Sequence, residues 1–461
     1  MRTTIARIRC LAFVVVVALV ATACGSSGDV AGEPVDAAAN AEELVASADG
    51  ADDASEAVAT TTVAPTADAA EQAPVEEDVV EDDPIAESDA ETDRAVLVED
   101  LTSALVSWQE SGGIPGASLS VRLPDQEPIN IAVGVADLIT EEPVDVDDYF
   151  RIGSITKPMT SAIVLQLVEE GLLELDEPVE TYLPGWLTGY RYAGDITVRQ
   201  LMDHTNGLVE YALSPEFFAL GGQRLDKALT TDEIREWLAA QEPLFAPGTQ
   251  YQYETGGFLT LGDVIEAVTG NSAAAEMRSR IFEPAGAENI FLTPEEFPPE
   301  PTVNAYGRAE LYLASTLLIG RQDTEQLTIN DEPVIDVLGQ PQDVLQSAGW
   351  TGGGNEARLE SVSAIMRAMF DGTILNDAQI AEMTSAVFDT NYGLGIDSRL
   401  IDDEIVYSHG GGVPGFRSQA NYLPEHDVSW AVSANLLPLP EGSTVGDLRD
   451  VLQPILVAAA S

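Results

Sequence analysis

Gly153-Ser154-Ile155-Thr156-Lys157-Pro158 opens a strongly apolar stretch that covers roughly 155–170 and ends at Gly171. Apolar residues at this density and spacing predict a helix, and a proline in its first turn is tolerated. Positions i and i+3 share a helical face, so the spacing predicts that the Ser154 hydroxyl and the Lys157 amine are neighbours. A buried helix N-terminus disfavours the ammonium form, as a lysine base requires. The unpaired N–H groups of the same turn can meet a developing oxyanion. The six residues read equally well as a helix capped by Ser154 with Lys157 on its surface. Lys157 and Lys227 are the only lysines in the chain.

On the N-terminal side, apolar residues recur at helical spacing around 95–110. Ala117–Val121 and Ile129–Val133 follow as two strands joined by a Pro-Asp turn. On the C-terminal side, about 172–345 carries short helical patterns and Pro/Gly turns. Beyond it, Tyr392–Ile396, Glu404–Ser408, Gln419–Leu423 and Ser429–Ala434 read as strands. Turns are expected at Gly410–Gly415 and Pro424–Asp427, and a terminal helix at Val451–Ala460. Strands at both ends with helices between predict an α+β fold: one antiparallel sheet from distant segments, flanked by helices, with a mostly helical sub-domain. No internal repeat is present.

Two further stretches carry side chains suited to chemistry. His409 opens His409-Gly410-Gly411-Gly412-Val413-Pro414-Gly415, where three glycines after a strand imply backbone that approaches something closely. A tight loop with a lone surface histidine is the alternative. Pro247-Gly248-Thr249-Gln250-Tyr251-Gln252-Tyr253-Glu254-Thr255 precedes a helix, and either Tyr253 or Tyr251 could transfer a proton among cationic neighbours. A packed ring with a bonded hydroxyl is the plainer reading.

Composition narrows the partners. The chain has 461 residues, with 78 Asp+Glu against 21 Lys+Arg, a formal net charge of −57. Phosphate affinity rests on clustered Lys and Arg, so nucleic acid is excluded. Residues 95–461 alone carry 57 acids against 17 bases, a surface that repels anionic polymers and membranes. Two cysteines exclude a disulfide scaffold, and three histidines leave little for a metal site. Asp145-Val146-Asp147-Asp148-Tyr149-Phe150 lacks the glycine that a calcium loop needs at its sixth position.

The chain begins with an address. Arg2, Arg7 and Arg9 precede the apolar run Leu11–Val20, too short for a comfortable membrane span, and Ala21-Thr22-Ala23-Cys24 follows. Residues 1–24 are expected to be a lipoprotein signal peptide, with Cys24 lipidated after cleavage; an ordinary secretory signal is the alternative. Residues 25–94 are expected to be a disordered acidic linker, since 21 acids and no aromatic residue occur from Gly25 through Asp93. Residues 95–461 then form the folded domain, exported and lipid-anchored on the extracytoplasmic face of the cell membrane.

The order Ser-x-x-Lys, a tyrosine loop and His-x-Gly resembles the serine beta-lactamase-related family, which includes class C beta-lactamases, D-Ala-D-Ala carboxypeptidases and esterases. The resemblance covers essentially all of 97–455. Its further matches are Ile114–Ser118, Phe150–Ser154, Leu165–Leu175 with Asp176-Glu177-Pro178, Ile196–Leu208 around His204, Pro247-Gly248…Tyr253 and Tyr392-Gly393-Leu394-Gly395. The resemblance implies a beta-lactamase/transpeptidase-like fold, with Ser154 as acylated nucleophile, Lys157 as its base and Tyr253 as general base or acid. It places His409 where other members carry a lysine and keeps His204 as a structural residue. The oxyanion hole would be the N–H groups of Ser154 and Gly412.

Thr255, Gly410, Gly411 and Arg417 would bind substrate, and no cofactor is implied. The sequence departs from the family's Tyr-x-Asn, reading Tyr253-Glu254-Thr255; a threonine hydroxyl replaces only part of an amide. Gly410 and Gly412 stand where carboxypeptidases present hydroxyls to a terminal carboxylate, and Arg417 is a candidate for that charge. The implied activity is that of an exported serine hydrolase, D-Ala-D-Ala carboxypeptidase-like on peptidoglycan-type peptides, with an esterase or beta-lactamase as alternatives. The substrate would be a small molecule or peptide (acyl-D-Ala, ester or beta-lactam), and the protein a monomer. Thr255 also raises a reading of another class, a non-catalytic ligand-binding lipoprotein.

Overall fold

The computed structural model describes residues 84–461 apart from 213, 215–216, 218–227, 309–326, 330–331, 338–346 and 441–442. The leader with Cys24, most of the acidic stretch and Lys227 lie outside the described residues. Helix α1 (Pro84–Ser111) begins within the stretch read as linker.

Strands β1 (Gly116–Arg122), β2 (Ile129–Gly134) and β3 (Phe150–Arg151) follow. A 3-10 turn at Gly153–Ile155 then leads into α2 (Thr156–Glu169). The middle of the chain contributes α3 (Val198–Met202), α4 (Thr231–Ala239), α5 (Gly256–Thr269) and α6 (Ala273–Met277). It also holds β4 (Ile290–Leu292), β5 (Tyr306–Arg308), β6 (Leu327–Ile329) and β7 (Glu332–Asp336). These strands belong to two small three-stranded sheets absent from the sequence reading of this region as helical. The order closes with α7 (Trp350–Gly353), β8 (Asn355–Ala357), α8 (Leu359–Phe370), α9 (Asp377–Met383), β9 (Asp397–Ile401), β10 (Glu404–Val413), β11 (Phe416–Leu423), β12 (Val428–Ala434) and α10 (Val445–Ala459).

The main sheet has six strands in the order β2-β1-β12-β11-β10-β9, antiparallel throughout. It joins segments more than 250 residues apart, as the α+β reading requires. Alternation sorts its faces. Ala117, Leu119 and Val121 of β1 join Val428, Trp430 and Val432 of β12 in a core under α1 and α10. Helix α1 supplies Leu97, Leu101, Leu105 and Trp108 at helical spacing, and Leu448, Leu452 and Leu456 come from α10. The Trp108 indole N–H donates to the Thr444 carbonyl at 2.9 Å, tying the two helices together. The opposite face offers small hydroxyl residues to α8: Ser120 meets Ser363 at 2.9 Å, and Ser429 donates to the Ser363 carbonyl at 2.8 Å.

Two readings of the C-terminal strands need correction. Tyr392–Ile396 is not a strand; Tyr392 makes a single bridge to Asp397, and Gly395 turns the chain at φ +81° before β9 begins. Nor is Gly410–Gly415 a turn. Strand β10 runs through all three glycines to Val413, and only Pro414 and Gly415 turn. The glycines serve close approach, because a Cβ on Gly411 would overlap the Ile152 carbonyl.

Candidate active site

The site forms where the 3-10 turn carrying Ser154 is pressed between β10, β11 and α7. Gly153 adopts φ +56°, which favours glycine, and a Cβ there would sit 2.8 Å from the Gly412 nitrogen. The turn therefore brings the backbones of Ser154 and Gly412, the two expected oxyanion donors, side by side. Ser154 does not cap α2; the cap position is Ile155, without a side-chain bond. Lys157 is fully buried rather than on the surface. Its Nζ lies 3.2 Å from Ser154 Oγ and 2.7 Å from the Gly352 carbonyl oxygen.

Tyr253 also faces the lysine. Lys157 Nζ is 5.0 Å from the Tyr253 ring centroid and 5.4 Å from that of Phe258. Tyr251 packs instead against His204 and Tyr392, with ring centroids 6.0 and 5.8 Å away, and burial raises its hydroxyl pKa. His409 is buried in β10, with Nε2 3.0 Å from the Tyr392 hydroxyl and Nδ1 2.7 Å from the Gly410 carbonyl. Arg417, paired with Gly412 in the β10–β11 register, donates to the Gly411 carbonyl at 3.5 Å. Its guanidinium thus lies along the Gly410–Gly411 edge.

Thr255 is placed differently from a substitute for the family asparagine. Its hydroxyl donates to the Glu210 carboxylate at 2.9 Å, whereas the Gly352 carbonyl accepts from the lysine. The other Glu210 oxygen accepts the Ala212 N–H at 2.7 Å. Burial, then the neighbouring Glu254, pushes the Glu210 carboxyl up to about 7. Glu254 is fully buried and also raised to about 7 by burial, although Gly257 N–H at 2.8 Å and the Asn206 amide at 2.9 Å bond it. Both carboxylates act electrostatically on Lys157.

Sequence reasoning did not single out Glu210 or Gly352. Glu210 lies two residues beyond Leu208, and its neighbours Val209 and Tyr211 carry no signal of its role. Gly352 belongs to the glycine cluster Gly352-Gly353-Gly354, a visible mark of close backbone approach. Among the described residues no group of three or more His, Cys, Asp or Glu side chains could hold a metal ion.

A serine and a buried lysine on one helical turn, a facing tyrosine and a glycine-rich sheet edge define the site of the beta-lactamase and penicillin-binding protein class. The Beta-lactamase family profile matches residues 93–453, and the chain belongs to that family. Penicillin-binding protein 4 of Amycolatopsis lactamdurans is 31% identical over 187 residues, 40% of this chain and 46% of that protein. A D-aminopeptidase of Cereibacter sphaeroides is 26% identical over 326 residues, 70% of this chain and 57% of its own. The chain spans less than half the length of the first curated relatives, between 36% and 46%. Among solved structures, a D-stereospecific amidohydrolase from Streptomyces superposes with a TM-score of 0.63 at 28% identity, covering 76% of this chain and 97% of that one.

Proposed function

We propose that the chain is an exported serine hydrolase that forms an acyl-enzyme on Ser154, acting on amides or short peptides of D-amino acids that carry a free amino group. The observation that carries the substrate class is the Glu210 carboxylate bonded to Thr255 beside the Ser154/Lys157 pair. A half-buried carboxylate there attracts a substrate ammonium and repels a substrate carboxylate. The D-aminopeptidases and the D-stereospecific amidohydrolase among the relatives support the same class.

In this reading Ser154 Oγ attacks the carbonyl carbon and passes its proton to Lys157. The Ser154 and Gly412 N–H groups hold the oxyanion, and the leaving amine departs with a proton relayed through Lys157 and Tyr253. Water then cleaves the ester. Cys24 would carry the lipid that tethers the enzyme outside the cell, a reading that rests on the leader sequence alone. The D-Ala-D-Ala carboxypeptidase-like reading is the second choice, favoured by Arg417 along the Gly410–Gly411 edge.

The test compares D-alanine p-nitroanilide, its N-acetyl derivative and an acyl-D-Ala-D-Ala peptide on wild type and Glu210→Gln. Preference for the free amine, lost in the variant, supports the proposal. Preference for the acyl-D-Ala-D-Ala peptide moves the assignment to the carboxypeptidase. Tight binding of a substrate without any Ser154-dependent product would leave a binding lipoprotein.

A further inference from the structure

Two of the chain's three histidines lie on one string of hydrogen bonds that the proposed mechanism does not use. The Glu254 backbone N–H donates to His204 Nδ1 at 3.4 Å. His204 Nε2 lies 3.2 Å from the Tyr392 hydroxyl, which lies 3.0 Å from His409 Nε2. His409 Nδ1 ends the string 2.7 Å from the Gly410 carbonyl. Both imidazoles and the Tyr392 ring are buried, and His204 is fully enclosed.

The Gly410 carbonyl sets the protons on this string. At one end His204 Nδ1 faces both the Glu254 amide N–H at 3.4 Å and Glu254 Oε1 at 3.6 Å, and it accepts from the N–H where the raised Glu254 carboxyl is protonated, which leaves the His204 proton on Nε2. At the other end a carbonyl can only accept, so His409 Nδ1 carries the proton and Nε2 the lone pair. A tyrosine hydroxyl has one proton. It must go to His409 Nε2, and the Tyr392 oxygen accepts from His204 Nε2–H. The two assignments meet at Tyr392 without conflict.

We propose that Tyr392 is a positioning residue that locks His409 in its neutral Nδ1–H form and so pins the Gly410–Gly412 edge of β10 against the turn carrying Ser154. The surroundings agree on each side. His409 faces Lys157 from α2, Arg417 from β11, and the Tyr253 ring from the loop before α5. Tyr392 faces Tyr251, Tyr253 and Glu254 from that same loop and Asp397 from β9. Burial and then Lys157 push the His409 imidazole down to about 3, and burial holds His204 well below its ordinary value and Tyr392 well above. His204 is also held at φ +60°, a backbone conformation that persists when surrounding contacts demand it.

The lock makes His409 a fixed strut. With its lone pair engaged by Tyr392, His409 neither takes a proton from Ser154 nor adds a second cation beside Lys157. Only its effect on rate rests on the reading of Ser154 as the acylated residue.

The test is nitrogen NMR on the full chain with histidine labelled by 15N, reading each ring's tautomer from its two-bond couplings. With three histidines in the chain, the spectrum is assignable by single substitutions. The expected result at pH 7 is Nε2–H for His204 and Nδ1–H for His409, both unchanged on lowering the pH to about 5. A charged or Nε2–H His409 overturns the lock. In Tyr392→Phe the His409 Nε2 loses its donor while burial and Lys157 still oppose charging, so an Nε2–H population should appear in the couplings with the ring still neutral. Acylation of Ser154 by p-nitrophenyl acetate should slow about tenfold, with KM within about twofold. A variant with the wild-type couplings overturns the proposal. A wild type that shows the assigned tautomers but never acylates sinks the hydrolase reading and leaves the lock standing.

Discussion

Lys157 Nζ stands 3.2 Å from Ser154 Oγ, one helical turn along the chain, and both side chains are buried. An amine in that place has a hydroxyl on one side and the Gly352 carbonyl on the other, under the Tyr253 and Phe258 rings. A fold gains little from burying an amine, since an apolar chain of similar length fills the space without desolvating a polar group. On the proposed function the arrangement makes sense as chemistry: a weak nucleophile beside its base.

Lys157→Met separates these roles. The unbranched thioether fills the slot under the two rings, at the cost of one unpaired Gly352 carbonyl, so stability should stay within about 2 kcal/mol of wild type. Acylation of Ser154 should fall by about a thousandfold, the scale of a lost general base. Denaturant unfolding beside stopped-flow acylation measures both. A variant that unfolds but retains its rate would make the lysine structural.

Gly411 tests the close approach of β10 to the nucleophile turn. A methyl group there meets the Ile152 carbonyl, so Gly411→Ala must displace either β10 or the turn that presents Ser154. The expected cost is about 2 kcal/mol in stability, with activity reduced at least about a hundredfold by displacement of the oxyanion donors. Gly194→Ala, where a Cβ meets nothing within 4 Å, should leave both unchanged. Equal behaviour of the two variants would remove the close-approach argument.

Glu254 makes stability depend on pH with a definite sign. Its carboxyl is raised from 4.5 to about 7 by burial, so the folded chain holds a proton that the unfolded chain has already released. The stabilisation is complete below about pH 4.5 and is lost as pH rises to about 7, a fall on the order of 3 kcal/mol from this group. Glu254→Gln should make that part of the curve less steep, the raised Glu210 carboxyl keeping the remainder. Urea midpoints at pH 4.5 and 7.5 decide it, and an unchanged slope in the variant would assign the pH dependence elsewhere.

The legible parts of this protein were those written at short range. Ser154 and Lys157 are three residues apart, and helical spacing alone places them together. Alternation in Ala117–Val121 and Ser429–Ala434 marks strands that pair in the main sheet. Tyr392–Ile396 was misread because an aromatic and apolar run resembles a strand, although Gly395 at positive φ ends any extension and leaves Tyr392 between two histidines. The glycines of Gly410–Gly412 suggested a turn because glycine permits turns, but here they permit contact within a strand.

The Thr255–Glu210 bond joins positions 45 residues apart, and nothing local to either side chain announces the other. The Gly352 carbonyl is backbone, and residue chemistry does not reveal its aim. The small sheets β3-β8-β4 and β5-β7-β6 are built from strands of two to five residues, too short for a periodic signal.

The central claim is a covalent bond to Ser154, and intact mass reads it directly. Wild type and Ser154→Ala are incubated with p-nitrophenyl acetate and, separately, with a penicillin, then quenched in acid and weighed. The account predicts a single acyl adduct on wild type from at least the ester and none on Ser154→Ala, with the variant folded by circular dichroism. An adduct of equal occupancy on both chains, or no adduct on wild type while product accumulates at the same rate in both, would contradict it.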